Sequence, residues 1–168
     1  MRFELTQRYT ATASDVVDAY ADPDLYPTLV GLPKLGGIEV LHHAAPAPGR
    51  VELRIRFAFT GDLPAAVTAV VDPKRLTWIQ QTEHDLHSGA TTFRLLPDHY
   101  ADRLAASGTF RVTPAADGIG SRRVVAGDLK VHALLVGGRV EQAIVSGLAE
   151  YLAAEAPEVD AYVAHRAG

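Results

Sequence analysis

The chain has 168 residues, a formal net charge of −4 at pH 7, 48% hydrophobic residues and no cysteine. Without cysteine it forms no disulfide and no thiolate site, and its acidic balance argues against nucleic acid, which binds clustered basic surfaces. No apolar signal segment begins the sequence, and no stretch approaches the length of a membrane span. We therefore expect one cytoplasmic domain over residues 1–168, with an ordered core over about residues 2–163.

The first elements in chain order are a strand and two short helices. Residues 2–9 have a period of two, which predicts a strand with one covered face. A helical pattern follows, with Ser14 as its N-cap, and it stops at Pro23. Residues 24–30 then form a second short helix or turn. The sheet is thus interrupted early by two helices.

Six further strands are predicted from alternation and from the turn residues between them. The clearest carries Val51, Leu53, Ile55, Phe57 and Phe59 on one face and charged residues on the other, so only one face is covered. Residues 61–71 fit a strand or a short helix, and Pro64 at a possible first helical position favours the helix. The predicted strands span residues 38–43, 51–59, 76–84, 90–96, 103–112 and 121–131.

The last predicted element is a long helix over residues 137–156, which ends before Pro157. Gly147 lies in its interior, where a glycine indicates either tight packing against a strand or space that is left free. One stripe of the helix is apolar and needs a cover, and it carries Val140, Ile144, Leu148 and Tyr151.

Antiparallel strands with separate helices indicate an α+β fold, in which a sheet of about seven strands curls around the last helix. Together with this element order, the segments Ala21 to Pro27 and Gly127 to Glu141 resemble the START/SRPBCC helix-grip (Bet v 1-like) superfamily. Within it the chain is most similar to a small uncharacterised bacterial family near the polyketide-cyclase and lipid-transfer branches. The resemblance implies a hydrophobic cavity between the sheet and the C-terminal helix, and it implies no particular reaction.

The strand at residues 76–84 indicates what lines that cavity. If Trp78 faces inward, alternation also sends Gln80, Thr82 and His84 inward, which gives the strand an apolar beginning and a polar end. Ligand pockets have this composition, whereas a plain core continues with aliphatic residues. The alternatives are that the opposite face of this strand, with Thr77, Ile79 and Gln81, is the covered one, or that the polar end emerges from the sheet.

We predict that the protein binds or transports a small hydrophobic or amphipathic molecule in this cavity, without a cofactor. The space beside Gly147, opposite Trp78 and Gln80, is the expected centre of the site. The predicted ligand-binding residues are Phe57, Trp78, Gln80, Thr82, Phe93, Phe110, Ile144, Gly147, Leu148 and Tyr151.

Two other functions stay open at this stage. One is a polyketide cyclase or dehydratase, in which a positioned His, Tyr or Asp would move a proton, although the sequence has no recognisable catalytic set. The other is a co-chaperone-like interaction domain without ligand, whose interior would be filled with side chains. A cavity separates the first two functions from the third.

Metal binding and basic surfaces are the remaining hypotheses. His84 and His87, with carboxylates beside them, are suitable zinc ligands, but side chains at a strand end and turn diverge. We therefore expect no metal at this position. The basic pair Arg122-Arg123 is interpreted as an exposed part of a strand.

Overall fold

The structure, a computed structural model, describes residues 1–63, 65–68, 72–132 and 137–168. The described residues form one antiparallel sheet with the strand order β1-β7-β6-β5-β4-β3-β2, three α-helices and two short 3₁₀ helices. The strands are β1 (Arg2–Tyr9), β2 (Leu35–Ala47), β3 (Arg50–Phe59), β4 (Thr77–Asp85), β5 (Ala90–Pro97), β6 (Leu104–Pro114) and β7 (Ser121–Val131). The α-helices are α1 (Ala13–Ala21), α2 (Ala65–Thr68) and α3 (Gly137–Ala167), and the 3₁₀ helices span Pro23–Thr28 and Pro73–Arg75.

The register of the sheet decides which side chains share its covered, inner face. Residues directly opposite each other on paired strands point to the same face. Phe57 on β3 is opposite Trp78 on β4, and Ile55 is opposite Gln80. Because Phe57 and Ile55 are buried, Trp78 and Gln80 lie on the inner face, as the alternation of this strand predicts.

Helix α1 covers one end of the inner face with apolar side chains, among them Val16, Val17 and Tyr20. The prediction of Ser14 as its N-cap is wrong. The helix begins earlier, at Ala13, and Thr12 is the cap because its hydroxyl accepts a hydrogen bond from the Asp15 amide at 3.3 Å.

The bounds of strand β2 also differ from the predicted residues 38–43, since the strand begins at Leu35. Strand β2 continues past residue 43 to Ala47, through Pro46, which an edge strand tolerates because its outer N–H groups have no partner strand. Residues 65–68 are helical, as favoured from the sequence, whereas Pro64 and residues 69–71 lie outside the described residues.

Helix α3 passes through Pro157 and ends eleven residues beyond the predicted end, at Ala167. A proline in a helix interior removes the hydrogen bond to the carbonyl four residues earlier. Here that carbonyl belongs to Ala153, which is exposed like Pro157 itself, so water can solvate it. The helix continues because Val159, on the opposite side, is fully buried in the core.

Candidate functional site

The inner face of the sheet divides into two ends that differ in exposure. On β4, His84 and Thr82 are buried, with 2% and 1% of their surface exposed, while Gln80 and Trp78 are half-buried. Strand β5 repeats the pattern, since Thr91 is buried and Phe93 is half-buried. We call the end around His84 and α1 the closed end, and the end around Trp78, Gln80, Phe93 and the first half of α3 the open end.

The closed end contains a buried ion pair. Arg123 on β7 is 5% exposed, and its Nη1 lies 3.2 Å from Oε2 of Glu155 on α3. The same Nη1 donates to Oε1 of Gln7 on β1 at 2.8 Å. Gln7 in turn donates from Nε2 to the Leu152 carbonyl at 2.7 Å and to Glu155 at 3.1 Å. The ion pair and Gln7 therefore connect α3 to strands β7 and β1.

Aromatic residues surround the ion pair and supply further hydrogen bonds. The Arg123 guanidinium lies 3.9 Å from the ring centres of both Tyr20 and Phe110, a double cation–π contact. Glu155 accepts hydrogen bonds from the hydroxyls of Tyr20 at 2.6 Å and Tyr151 at 3.0 Å. The Tyr9 hydroxyl lies 2.9 Å from that of Tyr20 and donates to it, because the single Tyr20 hydrogen is used on Glu155.

Burial sets the protonation of these groups. It raises the pKa of Tyr9 to about 12, and it raises the pKa of Tyr20 and of Tyr151 well above the ordinary tyrosine range. Burial by itself would lower the pKa of Arg123, but Tyr20, Tyr9 and Glu155 around it raise that pKa on balance. At neutral pH the tyrosines therefore stay protonated hydrogen-bond donors and Arg123 stays charged.

His84 completes the closed end as a neutral side chain. Its Nε2 lies 2.9 Å from the Thr82 hydroxyl and its Nδ1 lies 3.1 Å from the Thr91 hydroxyl. Burial, with a smaller contribution from the nearby Arg123 charge, lowers the pKa of His84 to about 4. Both ring nitrogens are thus occupied by protein groups, and the imidazole is uncharged at pH 7.

His84 and His87 are not brought together. His84 points into the core, whereas His87 is exposed in the turn between β4 and β5. Among the residues that the structure describes, no group of three or more histidine and carboxylate side chains is placed to hold a metal ion.

The predicted ligand-binding residues fall into two groups. Trp78, Gln80, Phe93, Gly147 and Leu148 are half-buried at the open end, and Ile144, at 38%, is the most exposed of the ten. The remaining four are buried: Phe57 lies behind Trp78, whereas Thr82, Phe110 and Tyr151 contact the polar groups of the closed end.

The two groups are in contact. Phe57 stacks on Trp78, with ring centres 6.1 Å apart and an interplanar angle of 19°. Phe93 and Leu148 pack against the buried cluster that contains Phe110 and Tyr151. The half-exposed rings of Trp78 and Phe93 thus pack against buried side chains.

Gly147 has space beside it. Among the described residues, a Cβ atom added there would meet one atom beyond the helix, Cγ of Lys34, at 3.6 Å, which is ordinary van der Waals contact. The alternative that Gly147 packs tightly against a strand is therefore wrong, because no strand atom comes that close.

Of the ion pair and its tyrosine partners, only Tyr151 was among the predicted site residues. The interpretation of Arg123 as exposed is wrong, since the register pairs it with Gln7 on the inner face. The signal was available in part: Arg123 alternates in phase with Val125 and Leu129, both of which are buried. Nothing comparable identifies Glu155 as its partner, because the two residues meet only in the folded chain.

Two surface grooves adjoin strand β1. One, of about 600 Å³, follows the outer face of β1, β7 and β6 and is lined by Glu4, Ser107, Thr109 and Asp128 among others. The other, of about 290 Å³, runs between edge strand β1 and α3, beside Thr6 and Ala153. Neither groove is lined by any of the predicted ligand-binding residues.

A seven-stranded antiparallel sheet that curves around a long C-terminal helix, with two short helices after the first strand, defines the helix-grip, Bet v 1-like fold of the START/SRPBCC superfamily. This is the fold class predicted from the sequence. The chain itself belongs to the family of proteins of unknown function DUF2505, whose model matches residues 4–163. A comparison with curated proteins gives no match.

Several solved structures share the fold. TTHA0849 from Thermus thermophilus is 16% identical, with a TM-score of 0.67 over 100% of both chains. The Zhui aromatase/cyclase from Streptomyces sp. R1128 is 17% identical, with a TM-score of 0.66 over 100% of this chain and 96% of that one. Norcoclaurine synthase from Thalictrum flavum, in complex with dopamine and hydroxybenzaldehyde, is 17% identical, with a TM-score of 0.62 over 98% of this chain and 87% of that one. At these identities the likeness shows the fold alone.

Within the described ranges, no helix is both long and apolar enough to cross a membrane.

Proposed function

We propose that the protein binds a small hydrophobic or amphipathic molecule on the inner face of its open end, as a carrier or sensor rather than an enzyme. The observation that carries this proposal is the partial exposure of Trp78, Phe93, Leu148 and Ile144 on surfaces that face inward. Apolar side chains arranged around a concave surface are the usual lining of a ligand site. Gln80 adds one neutral hydrogen-bonding group among them.

The same observation ranks the alternatives. An interaction domain without ligand would have its inner face filled, as the closed end is, whereas the open end leaves aromatic surface uncovered. A cyclase would need an acid or base within reach of a bound molecule. The buried candidates at the closed end, His84 and Tyr151, already hydrogen-bond to protein groups.

The solved structures are compatible with this proposal, but they do not identify a ligand for this chain. One of the similar chains is described as an aromatase/cyclase, and another is in complex with two small aromatic molecules. Those descriptions apply to those proteins. Two further parts of the proposal rest on the sequence. They are that the chain is a single domain over residues 1–168 and that it is cytoplasmic.

The test uses the single tryptophan of the chain as its reporter. Trp78 is the only tryptophan and lies at the open end, so all indole fluorescence comes from the proposed site. Titration with Nile red, a neutral apolar dye, should increase the emission of the dye and quench the emission of Trp78. Both signals should saturate at the same dye concentration. Saturable dye binding without any change in Trp78 emission would place the site elsewhere and contradict the proposal.

A matched pair of variants locates the contact. Ile144 and Ile119 are both exposed isoleucines, one on the inward stripe of α3 and the other in the turn between β6 and β7, where it is 78% exposed. Ile144→Ser should weaken dye binding several-fold because it removes apolar contact area, and Ile119→Ser should leave it unchanged. Equal effects of the two substitutions would mean that the dye binds nonspecifically.

A further inference from the structure

Lys34 crosses the side of the open end in a fixed backbone conformation. Its φ of +68° lies in the left-handed region, which a residue with a side chain adopts infrequently. Two features stabilise this conformation. The Lys34 carbonyl accepts a hydrogen bond from the Thr60 amide at 2.9 Å, and strand β2 begins at the next residue, Leu35. The backbone of Lys34 is therefore positioned by the fold.

The stem of Lys34 lies between two glycines that belong to different parts of the chain. A Cβ atom on Gly61, after β3, would lie only 2.7 Å from Cδ of Lys34, and one on Gly147 would lie 3.6 Å from its Cγ. A Cβ atom on Gly61 would also lie 2.7 Å from Cζ of Phe59, so both side chains occupy the space beside this glycine, whereas Gly147 leaves ordinary contact distance. The stem bridges the gap between the end of β3 and helix α3.

The ammonium at the end of this stem is only weakly engaged. It lies 3.4 Å from the Glu150 carboxylate, and the two side chains are 31% and 54% exposed. Ion pairs with this exposure contribute little and are screened by salt. An ammonium has three N–H donors, so Lys34 can bind a second carboxylate beside Glu150.

The inner face beside the stem of Lys34 is mostly apolar. One charged pair lies next to it among the described residues, because Glu141, on the same stripe of α3 as Leu148, lies 3.5 Å from the N-terminal ammonium. The other side chains that the register and the helix stripe place on this face are apolar or neutral, among them Trp78, Gln80, Phe93, Ile144 and Leu148. A ligand on this surface would therefore be apolar along its body. The stem of Lys34 lies beside Gly147 at one side of it, and the Lys34 ammonium pairs with the exposed Glu150.

We propose that the ligand of the open end is an amphipathic carboxylate, whose apolar body lies along the inner face and whose carboxylate pairs with the Lys34 ammonium. This assignment rests on the proposed function and adds the chemical class of the ligand. A charge-assisted hydrogen bond to Lys34 in a partly desolvated place stabilises the bound anion and has no counterpart in a neutral molecule of the same length.

The test compares dodecanoate with dodecan-1-ol, which have the same chain length and differ in the head group, by titration of Trp78 emission. Wild-type protein should bind dodecanoate about tenfold more tightly than the alcohol. Lys34→Met keeps the apolar stem and removes the charge, so it should abolish this difference while alcohol binding stays within twofold. Lys130→Met, an exposed lysine on β7, is the matched control and should leave both affinities unchanged.

Each other outcome has a distinct meaning. Equal wild-type affinities that Lys34→Met does not alter would overturn the carboxylate assignment and leave the proposed function standing. Loss of both ligands from a Lys34→Met protein with unchanged circular dichroism would show that the stem and not the charge matters, and would also overturn the assignment. If wild-type protein binds neither compound, the proposed function fails with it.

Discussion

The closed and open ends of the inner face are built from the same strands and have opposite character. At the closed end Arg123, Glu155 and Gln7 are buried together, and each hydrogen-bonds to the other two. At the open end Trp78 and Phe93 stay half-exposed. Most of the buried polar groups of the closed end are hydrogen-bonded, although Nε of Arg123 has no partner among the described residues. Our proposal assigns stability of the fold to the closed end and ligand binding to the open end.

The largest effect should come from breaking the closed end. Glu155→Gln leaves the buried Arg123 charge without its counter-ion. It also places an amide N–H₂ group, itself a donor, against hydrogen-bond donors that in the wild type donate to the carboxylate. Removal of one partner of a buried ion pair costs about 3 to 5 kcal/mol of unfolding free energy. Urea unfolding at pH 7 measures the loss.

The matched control for this substitution is Glu39→Gln. Glu39 pairs with Arg56 at 3.4 Å on the exposed edge of the sheet, so the same chemical change should cost no more than about 1 kcal/mol. If both variants lose the same amount, the closed end is not a special part of the fold. Dye binding by the folded fraction of the Glu155→Gln protein should persist, because the ion pair does not face the open end.

A second prediction concerns the pH dependence that His84 gives to stability. Its pKa is lowered from 6.5 to about 4, so the unfolded chain binds a proton between these values and the folded chain does not. His84 therefore contributes stability that is fully present above pH 6.5 and is lost as the pH falls toward 4. Relative to pH 7.5, this loss should amount to about 2 kcal/mol at pH 5.

The measurement is urea unfolding of the wild type and of His84→Gln at the two pH values. The variant should lose about 2 kcal/mol less than the wild type between pH 7.5 and pH 5, because it carries no titrating imidazole. His87→Gln, which removes an exposed histidine from the adjacent turn, should behave like the wild type. A His84 variant with the full wild-type pH dependence would mean that the imidazole titrates normally.

The third and smallest effect on stability sharpens the description of the open end. Gly147→Leu should abolish Nile red binding because it fills the space beside Lys34, and stability should stay equal or rise by up to about 1 kcal/mol through helix propensity. Gly147→Ala is the matched control, since its Cβ fits at 3.6 Å and should raise stability while dye binding is retained. Thermal melts with and without dye separate the two.

The opposite result would have a clear cause. If Gly147→Leu costs about 1 to 3 kcal/mol and neither it nor the wild type binds dye, the region is close-packed and the substitution overpacks it. The open end would then be close-packed like the closed end, and the ligand-free interaction domain would become the better interpretation.

The sequence predicted those parts of the fold that depend on local periodicity. Alternation identified the inner face of β3 and placed Trp78 and Gln80 correctly, because a buried sheet face imposes a period of two on each strand. It did not predict the end of α3, because whether a helix continues through Pro157 depends on burial of Val159 by elements far away in sequence.

The site shows the same limit. Trp78, Phe93, Ile144 and Leu148 were named because they are apolar and periodic, Gln80 because it is polar on the same face as Trp78, and Gly147 because it leaves space in a helix. Arg123 was misread because a charged residue in a strand is exposed in most proteins, and its burial depends on Glu155 and on the rings of Tyr20 and Phe110. These groups meet through the register and through helix packing, which local patterns do not encode.

The most direct test of the two-ended inner face is a methyl NMR titration of the whole chain with Nile red. If only the open end binds, the methyl signals of Ile144, Leu148 and Leu95 should shift with a common affinity, while those of Val112 and Val159 at the closed end stay in place. Shifts centred on Val112 and Val159, or on methyl groups of the outer face of the sheet, would contradict the account.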